Sequence, residues 1–60
     1  MRKFKSLRTD DFKLGDVVQF SNGILGKVVM IYKRFLDVKD ADGRIYVLIP
    51  AHGEVRHWEP

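Results

Sequence analysis

The sequence predicts an all-β domain, a small five-stranded barrel entered by a basic N-terminal arm. Three observations carry that expectation. Short apolar runs alternate with polar residues, glycine-bearing turn dipeptides interrupt them at intervals of roughly eight to twelve residues, and the last turn follows a proline close to the end of the chain. At 60 residues the chain has room for one domain. The richness of its middle in Val, Ile, Tyr and Phe argues for strand over helix.

The elements follow in order. Leu14-Gly15-Asp16 leads into residues 17–20, where Val18 and Phe20 share one face and Gln19 takes the other. Ser21-Asn22-Gly23-Ile24-Leu25-Gly26 then turns the chain. Asn-Gly is expected to supply the positive-φ conformations of a tight turn, and Gly26 to bring the backbone close to a neighbour. Residues 27–32 are apolar on both faces, which fits a central strand covered on both sides or one bent enough to serve two sheets. Lys33-Arg34 forms the next hairpin tip, and residues 35–40 alternate with Leu36 and Val38 inward. Asp42-Gly43 reads as a type I′ hairpin turn. Residues 44–49 form a fourth strand that Pro50 ends by withholding a backbone donor. Ala51-His52-Gly53 suits a single tight 3₁₀ turn, and residues 54–58 form a short closing strand. Residues 1–13 fit an arm, an edge strand or a short helical turn, and periodicity does not choose among them. The division is therefore a basic arm at 1–13 and a barrel at 14–60. Hairpins throughout and a tight turn before the last strand are the pattern of an SH3-like barrel.

Composition narrows the function. The chain is 45% hydrophobic and 12% aromatic, enough for a packed core, and it has no cysteine for a disulfide framework or a thiolate zinc site. No apolar run is longer than five residues, as in Ile45-Tyr46-Val47-Leu48-Ile49, far short of the roughly 18 a bilayer span needs. The basic N-terminus lacks the apolar stretch of a signal peptide. A cytoplasmic protein without a membrane span is expected. The formal charge of +3 resides in residues 1–13, where Arg2, Lys3, Lys5, Arg8 and Lys13 face only Asp10 and Asp11, while residues 14–60 balance.

Leu14-Gly15-Asp16-Val17-Val18 through Gly23-Ile24-Leu25-Gly26-Lys27-Val28 resembles the KOW motif of ribosomal proteins and NusG-type transcription factors, with Gly26 and Val28 on its glycine and valine positions. That resemblance implies an SH3-like barrel and contact with nucleic acid. Residues 14–50 are also similar to the soluble part of the YajC family, an accessory component of the bacterial Sec translocase. Asp16, Val18, residues 23–28 and Asp42-Gly43 carry the likeness. This second resemblance implies a shared barrel.

The residues themselves favour binding over catalysis. Arg2, Lys3, Lys5 and Arg8, interleaved with Phe4 and Leu7, can lie along phosphates while an aromatic ring stacks on a base. Lys33 and Arg34 with Phe35 repeat that pairing at a hairpin tip, and Arg56 with Trp58 repeats it near the end of the chain. A disordered, solubilising leader and core aromatics would give the same composition. Ile24 and Leu25 at a loop tip, with Trp58, mark a protein contact or a homodimer seam; Trp58 alternatively caps the open end of the barrel. His52, Glu54, His57 and Glu59 are the only cluster of potential metal ligands, and they read as exposed polar residues of a closing strand. Ser6 and Ser21 have no evident base beside them, and a barrel of this size is expected to lack a deep pocket of the several hundred Å3 usual for small-molecule sites. The expectation is a non-enzymatic module without metal or cofactor that contacts RNA or DNA. The alternative is a protein-interaction module that docks on a larger complex, by side chains or by β-addition at a strand edge.

Overall fold

The computed structural model describes residues 4–59, and its strands form one antiparallel sheet. They are β1 (Val17–Phe20), β2 (Leu25–Ile31), β3 (Leu36–Asp40), β4 (Ile45–Leu48) and β5 (Val55–His57), in the spatial order β4-β3-β2-β1-β5. Consecutive hairpins build the first four strands, and β5 returns to pair with β1, Phe20 opposite Val55. The expected all-β, five-stranded class holds. The edges β4 and β5 do not pair with each other, so the barrel-like sheet is not closed by hydrogen bonds.

Strand alternation fixes the core. Val18 and Phe20 of β1, Val28 of β2, Leu36 and Val38 of β3 and Val55 of β5 are buried together with Phe12. Leu7, Ile31, Tyr46 and Leu48 pack around them, Tyr46 meeting Phe20 edge-on at 5.0 Å between ring centroids. The close approach expected at Gly26 is present. A Cβ there would lie 2.7 Å from Val38 Cγ1 and 2.9 Å from the Lys39 carbonyl oxygen. Val38 and the β3 backbone can therefore approach this closely only because residue 26 has no side chain.

Three local expectations need correction. Residues 27–32 are not covered on both sides: Val29, Met30 and Tyr32 are exposed. The ladder slips between Val28 and Met30, so Val28 faces Val38 while Met30 faces Asp37. This bulge adds a residue and exchanges the faces of the strand, which explains an apolar run without double burial. The turn at Asp42-Gly43 is not type I′, since that type needs positive φ at both central residues and only Gly43 has it, at 85°. Instead the Gly43 N–H donates to the Asp40 carbonyl oxygen at 3.1 Å, and Asp40 N–H to the Arg44 carbonyl oxygen at 3.0 Å. This is a type I-like turn followed by a left-handed glycine. Asn22-Gly23 repeats the design, with Gly23 N–H to Phe20 O at 2.9 Å and Phe20 N–H to Ile24 O at 2.7 Å; Asn22 keeps negative φ. Its side chain instead accepts the Ile24 N–H at 3.1 Å.

The last turn is a 3₁₀ helix, Pro50–His52, which carries the chain from β4 to β5. Glu54 steadies it by accepting the Ile49 N–H at 2.7 Å. The N-terminal residues run alongside: Phe4 N–H donates to Gly53 O at 2.9 Å and Leu7 N–H to Pro50 O at 3.0 Å. A second 3₁₀ helix, Thr9–Asp11, then delivers Phe12 to the core. Trp58 does not cap the core; it is 36% exposed, lies outside the buried cluster and donates its backbone N–H to Val17 O at 3.1 Å.

Candidate functional site

The β2–β3 hairpin is short because Tyr32 N–H donates to Phe35 O at 2.9 Å, leaving Lys33 and Arg34 as its exposed tip. The same pinch stacks the Tyr32 and Phe35 rings, 4.5 Å between centroids and 24° apart. The Tyr32 hydroxyl donates to Asp37 Oδ2 at 3.1 Å. Ionising that phenol would forfeit the hydrogen bond and set an anion beside a carboxylate, so its pKa is raised above the ordinary tyrosine value.

Facing this tip is the N-terminal segment. Leu7 is anchored on the Pro50 carbonyl, the Arg8 N–H donates to Asp11 Oδ2 at 2.8 Å, and Thr9 Oγ1 donates to the Lys33 carbonyl at 3.1 Å. The Thr9 bond ties the segment to the hairpin across 24 positions of sequence. Between them, closed on the third side by the 3₁₀ turn Pro50–His52, lies a cleft of about 590 Å3. The cleft is half open to solvent and is not a deep pocket; one wall comes from residues 7–10, which no barrel strand supplies. Leu7, Tyr32, Ile49 and Pro50 make the apolar part of its lining. Among the described residues Arg8, Lys33 and Arg34 make it basic, against Asp10 alone, and His52 also lines it.

The residues expected to bind nucleic acid are thus divided. Arg8, Lys33 and Arg34 converge on the cleft. Phe35 stacks on Tyr32 and does not itself line the cleft. Arg56 and Trp58 lie elsewhere: the Arg56 guanidinium sits 4.6 Å over the Phe4 ring and donates from Nε and Nη2 to Gln19 Oε1. Lys5 is exposed and does not line the cleft, and Arg2 and Lys3 lie outside the described residues. Ile24 and Leu25 are exposed beside the β1–β2 turn.

Tyr32 ends an apolar run, so its sequence position reads as core and gives no sign of its place in the cleft. His52 is in the cleft, while Glu54 serves the turn and His57 stacks on Phe12 at 4.3 Å, with Nδ1 3.9 Å from Asp16 Oδ2. Among the described residues no three His, Asp or Glu side chains gather where they could hold a metal ion. A second basic feature crosses the outer face of the sheet. Pairing places Val17, Lys27, Lys39 and Ile45 in one row, which the register of the strands sets.

Comparison with family models, curated proteins and solved structures gives no match. Among the described residues no helix is long and apolar enough to cross a membrane.

Proposed function

We propose that this chain is a non-catalytic nucleic-acid-binding module whose contact surface is the cleft between the N-terminal segment, the β2–β3 hairpin and the Pro50–His52 turn. One observation carries the reading: Arg8, Lys33 and Arg34, brought from separate parts of the chain, surround an apolar and aromatic floor. Cations beside an exposed ring are the pairing that grips a sugar–phosphate backbone while leaving a surface for bases. The KOW-like pattern at residues 14–28 and the positive charge of residues 1–13 support it.

The test is a titration of fluorescently labelled RNA and DNA oligonucleotides, single-stranded and duplex, read by anisotropy across a salt series. Neutralising three phosphates of a single strand gives a log–log salt slope of about −2, so affinity falls roughly 20-fold between about 50 and 200 mM salt. Replacing Arg8, Lys33 and Arg34 with alanine should flatten that slope. No saturable binding at the lowest salt, or a slope indifferent to those replacements, refutes the assignment.

A second reading, a protein-interaction module, draws on β4. It is an edge strand, and Ile45 and Val47 on its outer face are 52% and 61% exposed. Such an edge can accept a strand from a partner or from a second copy. Ile24 and Leu25 at the β1–β2 turn, and Trp58 beside β1, would form contacts separate from the β4 edge. On this reading Val47→Lys abolishes self-association or partner capture and leaves oligonucleotide titrations unchanged.

A further inference from the structure

We infer that the cleft is built for an unpaired base, so that the ligand is single-stranded nucleic acid with one base stacked on Tyr32; this rests on the nucleic-acid reading above. The Tyr32 ring is held before any ligand arrives. Its backbone N–H is bonded to Phe35 O, one ring face is backed by Phe35 at 4.5 Å, and its hydroxyl is tied to Asp37. Yet the residue remains 42% exposed and lines the cleft. A ring fixed at both ends loses little rotamer freedom when something stacks on it, so more of the stacking energy appears as affinity. An interior base pair of a duplex already has both faces covered by its neighbours. A single strand, or a base turned out of a loop, can offer a free face. Lys33 and Arg34, adjacent in sequence to Tyr32, and Arg8 on the facing wall are placed to meet phosphates on either side of such a base.

The ring and the cations separate experimentally. Short oligouridylate, oligothymidylate and a duplex of equal length are titrated against the full chain and against Tyr32→Leu, Tyr32→Phe and Lys33→Ala/Arg34→Ala. Tyr32→Leu should weaken single-strand binding roughly 10-fold or more without altering the salt slope, since stacking carries no counterion release. Tyr32→Phe keeps the ring but loses the Asp37 tether, and should weaken binding by less. The double alanine variant should reduce the slope. In the unaltered chain, Tyr32 ring protons should shift upfield in NMR spectra on adding the single strand, a readout independent of any variant's folding. Equal affinity for duplex and single strand, no ring-proton shift and an indifferent Tyr32→Leu would overturn the stacked base while leaving nucleic-acid binding in place. Failure of every oligonucleotide to bind would instead remove the reading on which it rests.

Discussion

At the scale of single residues, the fold depends on an absent side chain and the site on a tethered one. Gly26 does not need an unusual backbone conformation; it needs space, because Val38 Cγ1, the Lys39 carbonyl and Phe20 Cε1 at 3.2 Å close around it. The carbonyl belongs to the β3 ladder and cannot move aside without breaking pairing. Gly26→Ala should therefore destabilise the protein by about 1–3 kcal/mol, the usual cost of overpacking, measured as a lower urea midpoint at unchanged m-value. Tyr32 offers a spectroscopic counterpart. Its hydroxyl bond to Asp37 raises the phenol pKa, and Asp37→Ala should bring the tyrosinate absorbance transition back toward the ordinary tyrosine range. By linkage, the stability this bond contributes is present below the unfolded-state tyrosine pKa and is lost as pH rises through the folded value. Asp37→Ala should remove that alkaline component.

The hairpin turns dominate at the scale of elements. In the β3–β4 turn, Asp40 Oδ1 accepts the N–H groups of Asp42 and Arg44, each at 2.9 Å. The Arg44 amide is the main reason its carboxyl is held below the usual aspartate range; partial burial opposes the shift, and the Tyr46 hydroxyl and the Asp42 amide add to it. A depressed carboxylate contributes stability above its unfolded pKa and loses it as pH falls through the folded one. Asp40→Asn, which keeps an acceptor without the charge, should be less stable than the unaltered protein at neutral pH. The gap in denaturation midpoint should narrow in acid; a gap that is constant with pH would exclude the charge as its source. These turns also mark what was legible in the sequence. Their positions at Asn22-Gly23 and Asp42-Gly43 could be read directly, as could the inward faces at Val18, Phe20, Leu36 and Val38. The turn type could not, because it depends on whether the residue before glycine also takes positive φ, and neither Asn22 nor Asp42 does. The bulge after Val28 was equally hidden: an extra residue in one strand is defined only by the register of its partner.

Across the whole molecule, the basic cleft and the integrity of the core meet in residues 4–12. Periodicity left this segment undecided because its conformation is set by long-range bonds to Pro50, Gly53 and Lys33, not by local propensity. The convergence of Arg8 with Lys33 and Arg34 was hidden for the same reason. Phe12, 3% exposed and stacked on His57, belongs to the same core as Val18 and Leu36. A domain of 60 residues has a stability of only about 3–9 kcal/mol at ordinary values per residue. Phe12→Ala, at roughly 3–5 kcal/mol for a buried phenylalanine, removes much or all of that margin. Leu7 is only partly buried and Arg8 is exposed, so the outer part of the segment contributes less to the core. A chain beginning at residue 9 should therefore remain folded with a lowered Tm, keep the dispersed amide spectrum of a β protein, and bind oligonucleotides more weakly with a shallower salt slope, since Lys33 and Arg34 remain. A chain beginning at residue 14 should be unfolded. If the first truncation bound oligonucleotides as the full chain does, the cleft would not be the contact surface; if the second stayed folded, burial of Phe12 would not be required for stability.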